Sequence, residues 1–352
     1  MTDLSPDDLP PAARGLSLTG APLPIFAEPI NAPHGPTPPR RPGSVRRTMS
    51  IDAHWPEGFA APGHYLGRCR DVRTPAAGGA PEVLAEAELR VIAAGREIRA
   101  ITASPAPEGL ERLVGLRAGG HLRLGMAEVI PGEKAAGTPL YLLLDDLAGA
   151  TFVSNWAYTR WHDDWAALMT DGPGSTVMEG VCIGFRPGAD SLFPGGAPRP
   201  STNVTRVAPL VHPDDPAGWH ALPVFPGMTF RRARCIELWR EGDAVVVDAM
   251  FQDSASAPDG GDRFCVHEYR LGARFGPDGL LRALDAVPGT LPYASCRAAP
   301  VNNAVLIGAP VRDLREVVLD RLKRTGGCTH LNDALRALAE CEALARDLPP
   351  LG

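Results

Sequence analysis

The chain has 352 residues, of which 44% are apolar, and its formal net charge is -6 with a pI near 5.9. This length and composition suffice for a sizeable buried core and favour two domains of ordinary size. The acidic net charge argues against a general nucleic-acid-binding protein. The basic residues are almost all arginines, since lysine occurs only at Lys134 and Lys323. No apolar stretch is long enough to span a bilayer, and no secretory signal pattern is recognisable. We therefore expect a cytoplasmic protein without nucleic-acid or membrane partners.

Residues 1–44 form a proline-rich arm. Proline fixes the backbone and removes a hydrogen-bond donor, so this density of prolines excludes helix and central strand. We expect an extended or disordered segment. Its apolar residues, such as Leu23 and Phe26, would allow it to dock across a domain or a neighbouring subunit.

Residues 45–165 and 227–346 read as two repeats, joined by a Gly- and Pro-rich segment at 166–226. The sequence around Ile98 aligns with that around Leu281 at a constant offset of 281 - 98 = 183. Similar short matches, including Arg46-Arg47 with Arg231-Arg232, keep the same order in both repeats. Each match is weak by itself, but because all of them occur in the same order in both segments, the pattern predicts an internal duplication.

Each repeat is expected to form a small antiparallel sheet covered on one face by helices, which is an α+β arrangement. In the second repeat, alternating apolar residues predict strands at 234–239, 244–251 and 266–275, and helical spacing follows at 313–324 and 331–344. The segment 166–226 is expected to pack along both repeats and help wall a cleft, with Cys182 and the Trp219-His220 pair as its notable side chains.

Four side chains of the second repeat are candidate metal ligands: His267, Cys296, Cys328 and His330. Thiolate and imidazole are the groups that hold zinc or iron, and seven cysteines without a secretory signal fit reduced thiols better than disulfides. We predict one zinc or iron ion per chain. The first repeat has Leu84, Gly137 and Pro139 at the positions that the duplication aligns with His267, Cys328 and His330.

Several features of this site remain open at the level of sequence. Cys265 and His267 are two residues apart on a predicted strand and should share a face, so that Cys265 is a further candidate ligand, as is Cys182. Thr329 is the expected N-cap of the helix that follows. The alternative is that the cysteines are small buried apolar groups, which is how we interpret Cys235 and Cys341, and that the histidines are hydrogen-bonded core residues.

Asp145 and Asp146 lie in a stretch that is apolar almost all round, Leu140–Ala150. At least one carboxylate should therefore approach a buried surface, where it needs a partner or a shifted pKa. This indicates either a general acid or base for catalysis or an ion pair between the repeats. The expected ion-pair partners are Arg46-Arg47 and Arg231-Arg232.

An aromatic cluster follows, consisting of Trp156, Tyr158, Trp161 and Trp165. It is typical of core packing, and alternatively of a wall for an aromatic or terpenoid substrate. The chain lacks a phosphate-binding glycine loop, a nucleophile elbow and a dinucleotide fingerprint, so no nucleotide cofactor is expected.

A histidine in a strand (His267), a PYxxC segment (292–296) and a GCTHL segment (327–331) resemble the bacterial family called domain of unknown function 2889. The resemblance covers residues 46–345 and brings no settled activity. The second repeat is also distantly similar to U-type iron–sulfur scaffolds (IscU and the NifU N-terminal domain). That likeness implies an IscU-like fold with ligands near Cys265–His267, at Cys296 and at Cys328–His330, although a histidine replaces the scaffold's aspartate and Thr329 separates its last two ligands.

The favoured hypothesis is a metal-dependent enzyme acting on a small organic molecule, with Asp145 or Asp146 as a proton carrier. One alternative is a non-enzymatic iron–sulfur or persulfide carrier. Another is a metal-free enzyme that uses Cys328 as nucleophile, activated by His330 or by the helix N-terminus. The substrate and reaction do not follow from the sequence, which is also compatible with a homo-oligomer.

Overall fold

The computed structural model describes residues 9–162, 177–201 and 203–349. Its framework is one antiparallel sheet in the order β4-β3-β2-β1-β6-β7-β8-β5, with β9 also paired to β8. The strands are β1 (Val45–His54), β2 (Gly63–Arg73), β3 (Glu82–Ala94), β4 (Glu97–Ser104), β5 (Thr205–Val207), β6 (Phe230–Glu241), β7 (Ala244–Ser256), β8 (Arg263–Phe275) and β9 (Leu281–Pro288). The predicted α+β class is confirmed.

The α-helices of the described residues are α1 (Gly120–Val129), α2 (Pro131–Ala136), α3 (Pro139–Val153), α4 (Trp156–Trp161), α5 (Leu314–Arg321), α6 (Thr329–Ala337) and α7 (Cys341–Leu344). Short 3-10 helices connect them at Pro11–Arg14, Leu110–Leu113, Ile183–Phe185, Pro216–Gly218, Val311–Asp313, Arg324–Gly326, Leu338–Glu340 and Ala345–Asp347, with a longer one at Ala294–Leu306. None of these helices is long and apolar enough to cross a membrane.

The strands form two meanders, β1–β4 and β6–β9, that share one continuous sheet. Their first strands, β1 and β6, pair antiparallel from Val45 opposite Leu238 to Ala53 opposite Phe230. The expectation of a separate small sheet in each half was wrong. Pairing satisfies the backbone groups that both strands would otherwise expose as sheet edges, and so joins the meanders.

Each meander carries two β-bulges. Between the second and third strands, the register shifts after Asp71 and leaves Leu84 unpaired, and in the other meander it shifts after Asp253 and leaves Val266 unpaired. Between the third and fourth strands, the residues left unpaired are Arg99 and Arg282. A bulge changes which face of the sheet the following side chains occupy, so these positions decide which residues can meet.

Helices cover one face of the sheet. Helix α3 begins after Thr138, whose hydroxyl accepts a hydrogen bond from the Tyr141 amide, and it packs on β1, β2 and β3. Its leucines are fully buried, and Leu143 lies so close to β2 that a side-chain carbon at Gly67 would come within 2.9 Å of it. Helix α6 contacts β8 in the second meander. This face contains most of the hydrophobic core.

The C-terminal part of the connecting segment, which includes His220, covers the other face of the sheet. His220 lies between the Thr48 and Ser50 hydroxyls of β1, at 2.9 and 3.0 Å. Arg68 of β2 donates to the Ala221 carbonyl, and Arg231 of β6 donates to the Pro223 carbonyl. The segment therefore crosses strands of both meanders.

The proline-rich arm, from residue 9 onward, docks on the second meander and the loop after it. The Ala32 amide donates to the Gly289 carbonyl, and the Leu291 amide donates to the Ile30 carbonyl. The Leu18 amide donates to the Asn302 side chain at 2.8 Å. These bonds satisfy backbone groups that a proline-rich chain cannot pair within itself.

Candidate metal centre

Two strands and one helix bring Asp253, His267 and His330 together. Asp253 is the last residue of β7 before the bulge, His267 is its partner across the strand pair on β8, and His330 lies in the first turn of α6. One potential ligand atom from each residue lies within 4.8 Å of the other two. Among the described residues, no other group of three or more His, Cys, Asp or Glu side chains brings its ligand atoms this close together.

The two imidazole rings are stacked, with centroids 3.4 Å apart and planes inclined by 15°. His267 Nδ1 lies 3.6 Å from an Asp253 carboxylate oxygen, slightly beyond hydrogen-bond length. His267 Nδ1 and His330 Nε2 are both buried without a hydrogen-bond partner among the described residues. Because buried polar atoms normally have partners, these nitrogens suggest a ligand position.

The electrostatics of the group favour neutral imidazoles and an ionised carboxylate. Burial lowers the pKa of His267, and burial together with the neighbouring His267 lowers the pKa of His330 well below its usual range. Burial would raise the pKa of Asp253, but Arg232 and His267 hold it well below its usual range. Two neutral imidazoles beside an ionised carboxylate are the protonation states in which these side chains bind metals.

Arg232 fixes the position of Asp253. Its guanidinium donates two hydrogen bonds of 2.9 Å to the two carboxylate oxygens, and a third of 2.9 Å reaches Asp333 on α6. Gly149 of α3 leaves room for this arginine, because a side-chain carbon there would lie 1.7 Å from its Nη1. The carboxylate is thus held by a bidentate pair, which is geometrically specific.

Cys265 does not share a face with His267, contrary to the expectation from their spacing. His267 is opposite Asp253, whereas Cys265 is opposite Ser254, with Val266 bulged between them. Residues that pair across strands lie on the same face, and Asp253 and Ser254 are neighbours on opposite faces. The bulge therefore directs Cys265 away, and its thiol donates to the His267 carbonyl.

Cys296 and Cys328 lie in a second group, together with Cys182 from the connecting segment. Cys328 is close enough to raise the pKa of both Cys182 and Cys296, and Cys182 also raises the pKa of Cys296. A side-chain carbon at Gly184 would come within 2.7 Å of the Cys296 sulfur and 3.6 Å of the Cys182 sulfur. The Ile183 amide donates to the Gly327 carbonyl, which holds this part of the connecting segment against the residue before Cys328.

The thiol group adjoins the histidine group. The Tyr269 hydroxyl lies 3.6 Å from the Cys328 sulfur. Tyr269 follows His267 by two residues on the same face of β8, a step of about 7 Å. The four ligands predicted from the sequence thus fall into two neighbouring groups, one of imidazoles and one of thiols. Sequence reasoning missed Asp253, since only the cross-strand register brings it to His267.

Burial favours the protonated form of these thiols. Burial, before any other cause, raises the pKa of Cys182 to about 12, and it also raises the pKa of Cys328 and of Cys296. Cys328 is itself the N-cap of α6, so that the expectation of Thr329 at this position was off by one residue. The His330 and Leu331 amides lower the pKa of Cys328, but burial outweighs them. This environment does not supply a free thiolate nucleophile.

Asp145 is a poor proton carrier, because three arginines surround it. Arg123 and Arg336 donate to its carboxylate at 2.7 Å, and Arg315 also donates to it. Burial would raise the pKa of Asp145, but these cations hold it well below its usual range. Asp146 accepts two hydrogen bonds from Arg234. Both carboxylates therefore lie in buried ion pairs.

Of the four arginines expected to pair with Asp145 and Asp146, only Arg232 does so, and the other three bind other carboxylates. Arg46 pairs with Glu237, Arg47 with Asp71 and Glu340, and Arg231 with Asp52. Arg232 alone approaches, with Nη1 3.6 Å from Asp146. The reason is strand alternation: Arg46 and Arg231 point to the face opposite α3, while Arg47 faces its own cross-strand partner.

The aromatic residues after α3 make local contacts. Tyr158 stacks between Phe59 and His162, with ring centroids 4.1 Å from each, and Trp161 packs edge-on against Phe264. Trp165 lies outside the described residues. These contacts link α4 to the sheet, which is the packing interpretation of the cluster.

Residues 230–343 match the model of a family described as Protein of unknown function (DUF2889). The matched region contains all residues of the histidine group, together with Cys296 and Cys328, but not Cys182. No curated protein matches the chain. No solved structure matches it either.

Proposed function

We propose that the chain binds one zinc or iron ion through Asp253, His267 and His330 and acts as a metal-dependent enzyme on a small organic molecule. The observation that supports the proposal is the approach of three ligand atoms to within 4.8 Å, with His330 Nε2 buried and without a partner. Arg232 offsets part of the charge on Asp253.

The identity of the three ligands indicates which metals the site would bind and which class of reaction it would support. Two histidines and one carboxylate form the set found in many catalytic zinc sites and in non-haem iron oxygenases. Three protein ligands leave an open position, at which either ion supplies Lewis-acid chemistry. Arg232 orients the carboxylate, and burial keeps both imidazoles neutral. The substrate class, an aromatic or terpenoid compound, remains a proposal from sequence.

We also propose that the two meanders descend from a duplication, of which only the second copy holds metal. In support, Asp71 and Asp253 both precede a bulge, at an offset of 253 - 71 = 182. The arginines that bind them, Arg47 and Arg232, lie on the first strands at an offset of 232 - 47 = 185. Ala85 pairs with Asp71 as His267 pairs with Asp253, so the structure aligns His267 with Ala85. A constant sequence offset of 183 would align His267 with Leu84 instead. An IscU-like ancestry of the second meander belongs to the same proposal.

The test is elemental analysis of the full chain purified without chelator and then reloaded with zinc or ferrous iron. We expect about one ion per chain in the wild type and its loss in His330→Gln and in His267→Gln. Asp71→Asn is the matched control, because it disturbs the corresponding Arg–Asp pair, to which no described histidine contributes, and it should keep the ion. Equal metal content in the wild type and in both histidine variants would contradict the proposal.

A second candidate function is a thiol-based carrier of a soft metal, an iron–sulfur cluster or a persulfide. It is favoured by the approach of the Cys182 and Cys296 sulfurs to Gly184, with Cys328 near enough to raise the pKa of both thiols. Cobalt substitution separates the candidates, since thiolate ligation produces an intense sulfur-to-metal absorption that histidine and aspartate do not. If that band appears and disappears in Cys296→Ser, the thiol site is the metal site. If cobalt binds without producing this band, the histidine site is the metal site.

A further inference from the structure

A cavity of about 530 Å³ lies on the face of the sheet opposite the histidine group, between β5, β6, β8 and the connecting segment. Its charged lining comes from Arg206, Arg231 and Arg263, together with Asp262. Its apolar lining includes Leu210, Val211 and Leu222. The volume is within the range of sites for small molecules, which combine an apolar body with a few placed polar groups.

The arginines of this cavity differ in their partners. Arg231 donates to the buried Asp52, and Arg206 pairs with Asp262 at 2.7 Å. Arg263 donates instead to the Ser254 and Thr229 hydroxyls and to the Ser254 carbonyl, at 2.9–3.1 Å. Among the described residues, Arg263 has no ion pair of its own, and the Asp52 carboxylate, which binds Arg231, is the acidic group that acts on it from a greater distance. Its guanidinium has five N–H donors, and these three bonds leave further donors unused.

An arginine in this position is costly without a counter-charge. Arg263 is partly buried, and its desolvation lowers its pKa; the neighbouring Arg231 lowers it further, and Asp52 offsets only part of this. A buried charge is normally paired, and an arginine fork matches the two oxygens of a carboxylate. Asp52 thus serves two arginines, and a second carboxylate for Arg263 is most simply part of a ligand.

We propose that this cavity binds a small organic carboxylate, with the carboxylate on Arg263 and a hydrocarbon body against Leu210, Val211 and Leu222. The proposal is independent of the metal site, because the two lie on opposite faces of the sheet. Hydrophobic contact and the ion pair are both required, so neither an uncharged analogue nor a simple inorganic anion should replace the ligand.

Isothermal titration of the full chain with hexanoate, hexanol and inorganic phosphate tests the proposal. We expect hexanoate to bind at least about tenfold more tightly than either of the others, since a charged hydrogen bond of this kind accounts for a factor of ten or more. Arg263→Gln should weaken hexanoate binding about tenfold or more. Arg274→Gln removes the same charge at an exposed position outside the cavity and should leave the affinity unchanged.

Folding of the variant is checked separately. Because Arg263→Gln removes one of two cations that share Asp52 and keeps an amide able to bond Ser254 or Thr229, the variant should still fold, and its unfolding temperature is compared with that of the wild type. Absence of hexanoate binding up to millimolar concentration, equal binding of hexanol or phosphate, or unchanged affinity in a folded Arg263→Gln variant would each overturn the proposal.

Discussion

Asp71 and Asp253 hold the same place in the two meanders: each is the last residue before a β-bulge, and each accepts two hydrogen bonds from an arginine on the neighbouring strand. They differ in what lies beside them. Asp253 approaches His267, while Asp71 shares its arginine with Glu340. One arrangement of backbone and charge therefore supports an ion-pair network in the first meander and a candidate metal centre in the second.

This pair allows the structural and metal-binding contributions of a carboxylate to be separated. Asp71→Asn and Asp253→Asn each leave a buried arginine without its main partner, which costs roughly 3–5 kcal/mol of unfolding free energy. Zinc should stabilise the wild type and Asp71→Asn, by about 2.7 kcal/mol at a concentration 100 times the dissociation constant, but not Asp253→Asn. Urea denaturation with and without zinc measures both effects. Equal stabilisation of all three proteins would rule out Asp253 as a ligand.

The protein should lose stability as the pH falls below about 6.5. Burial, followed by the nearby arginines, lowers the pKa of His220 to about 3, so that between pH 6.5 and 3 the unfolded chain binds a proton that the folded protein excludes. Stability is therefore fully present above pH 6.5 and falls with acid. His220→Gln should reduce the slope of unfolding free energy against pH by about 1.4 kcal/mol per unit in this range. Denaturation curves at several pH values measure the slope, and parallel slopes for both proteins would refute the assignment.

Asp145 should matter for stability and not for metal binding. Asp145→Asn leaves three arginines, two of them buried, without the carboxylate that joins them, and we expect a loss of roughly 3–5 kcal/mol or more. Glu88→Gln is the comparison, because Glu88 bridges two arginines in a partly exposed pair that contributes about 1 kcal/mol or less. Chemical denaturation and elemental analysis of both variants check this. A stable Asp145→Asn protein that has lost its metal would reverse the interpretation.

Gly149 should be intolerant of any side chain. A methyl group there would overlap Arg232 Nη1 and force this arginine away from Asp333, so we expect Gly149→Ala to cost roughly 3 kcal/mol or more. Gly132 of α2 offers the contrast, because nothing lies within 4 Å of the added carbon and alanine favours helix by about 1 kcal/mol. Melting temperatures of the two variants should therefore move in opposite directions. A harmless Gly149→Ala substitution would mean that Arg232 has another position available.

The parts of the fold that depend on local patterns were predictable. Alternating apolar residues located β6, β7 and β8 approximately, and helical spacing located α5 and α6, because these periodicities reflect burial of one face over a few residues. The residue chemistry also singled out His267 and His330, which the structure brings into contact. The grouping of both histidines with Cys296 and Cys328 followed from residue type alone and did not anticipate their separation into two neighbouring groups.

What the residue order determined by itself is therefore the set of strands and helices and the side chains capable of metal chemistry. Tertiary structure decided which of them meet. Pairing of β1 with β6 made one sheet out of two meanders, and the bulge at Val266 placed Asp253 beside His267 while turning Cys265 away. The physical reason is that side chains alternate between faces along a strand, so that a single unpaired residue reverses the face, and its position depends on long-range pairing that no local pattern encodes.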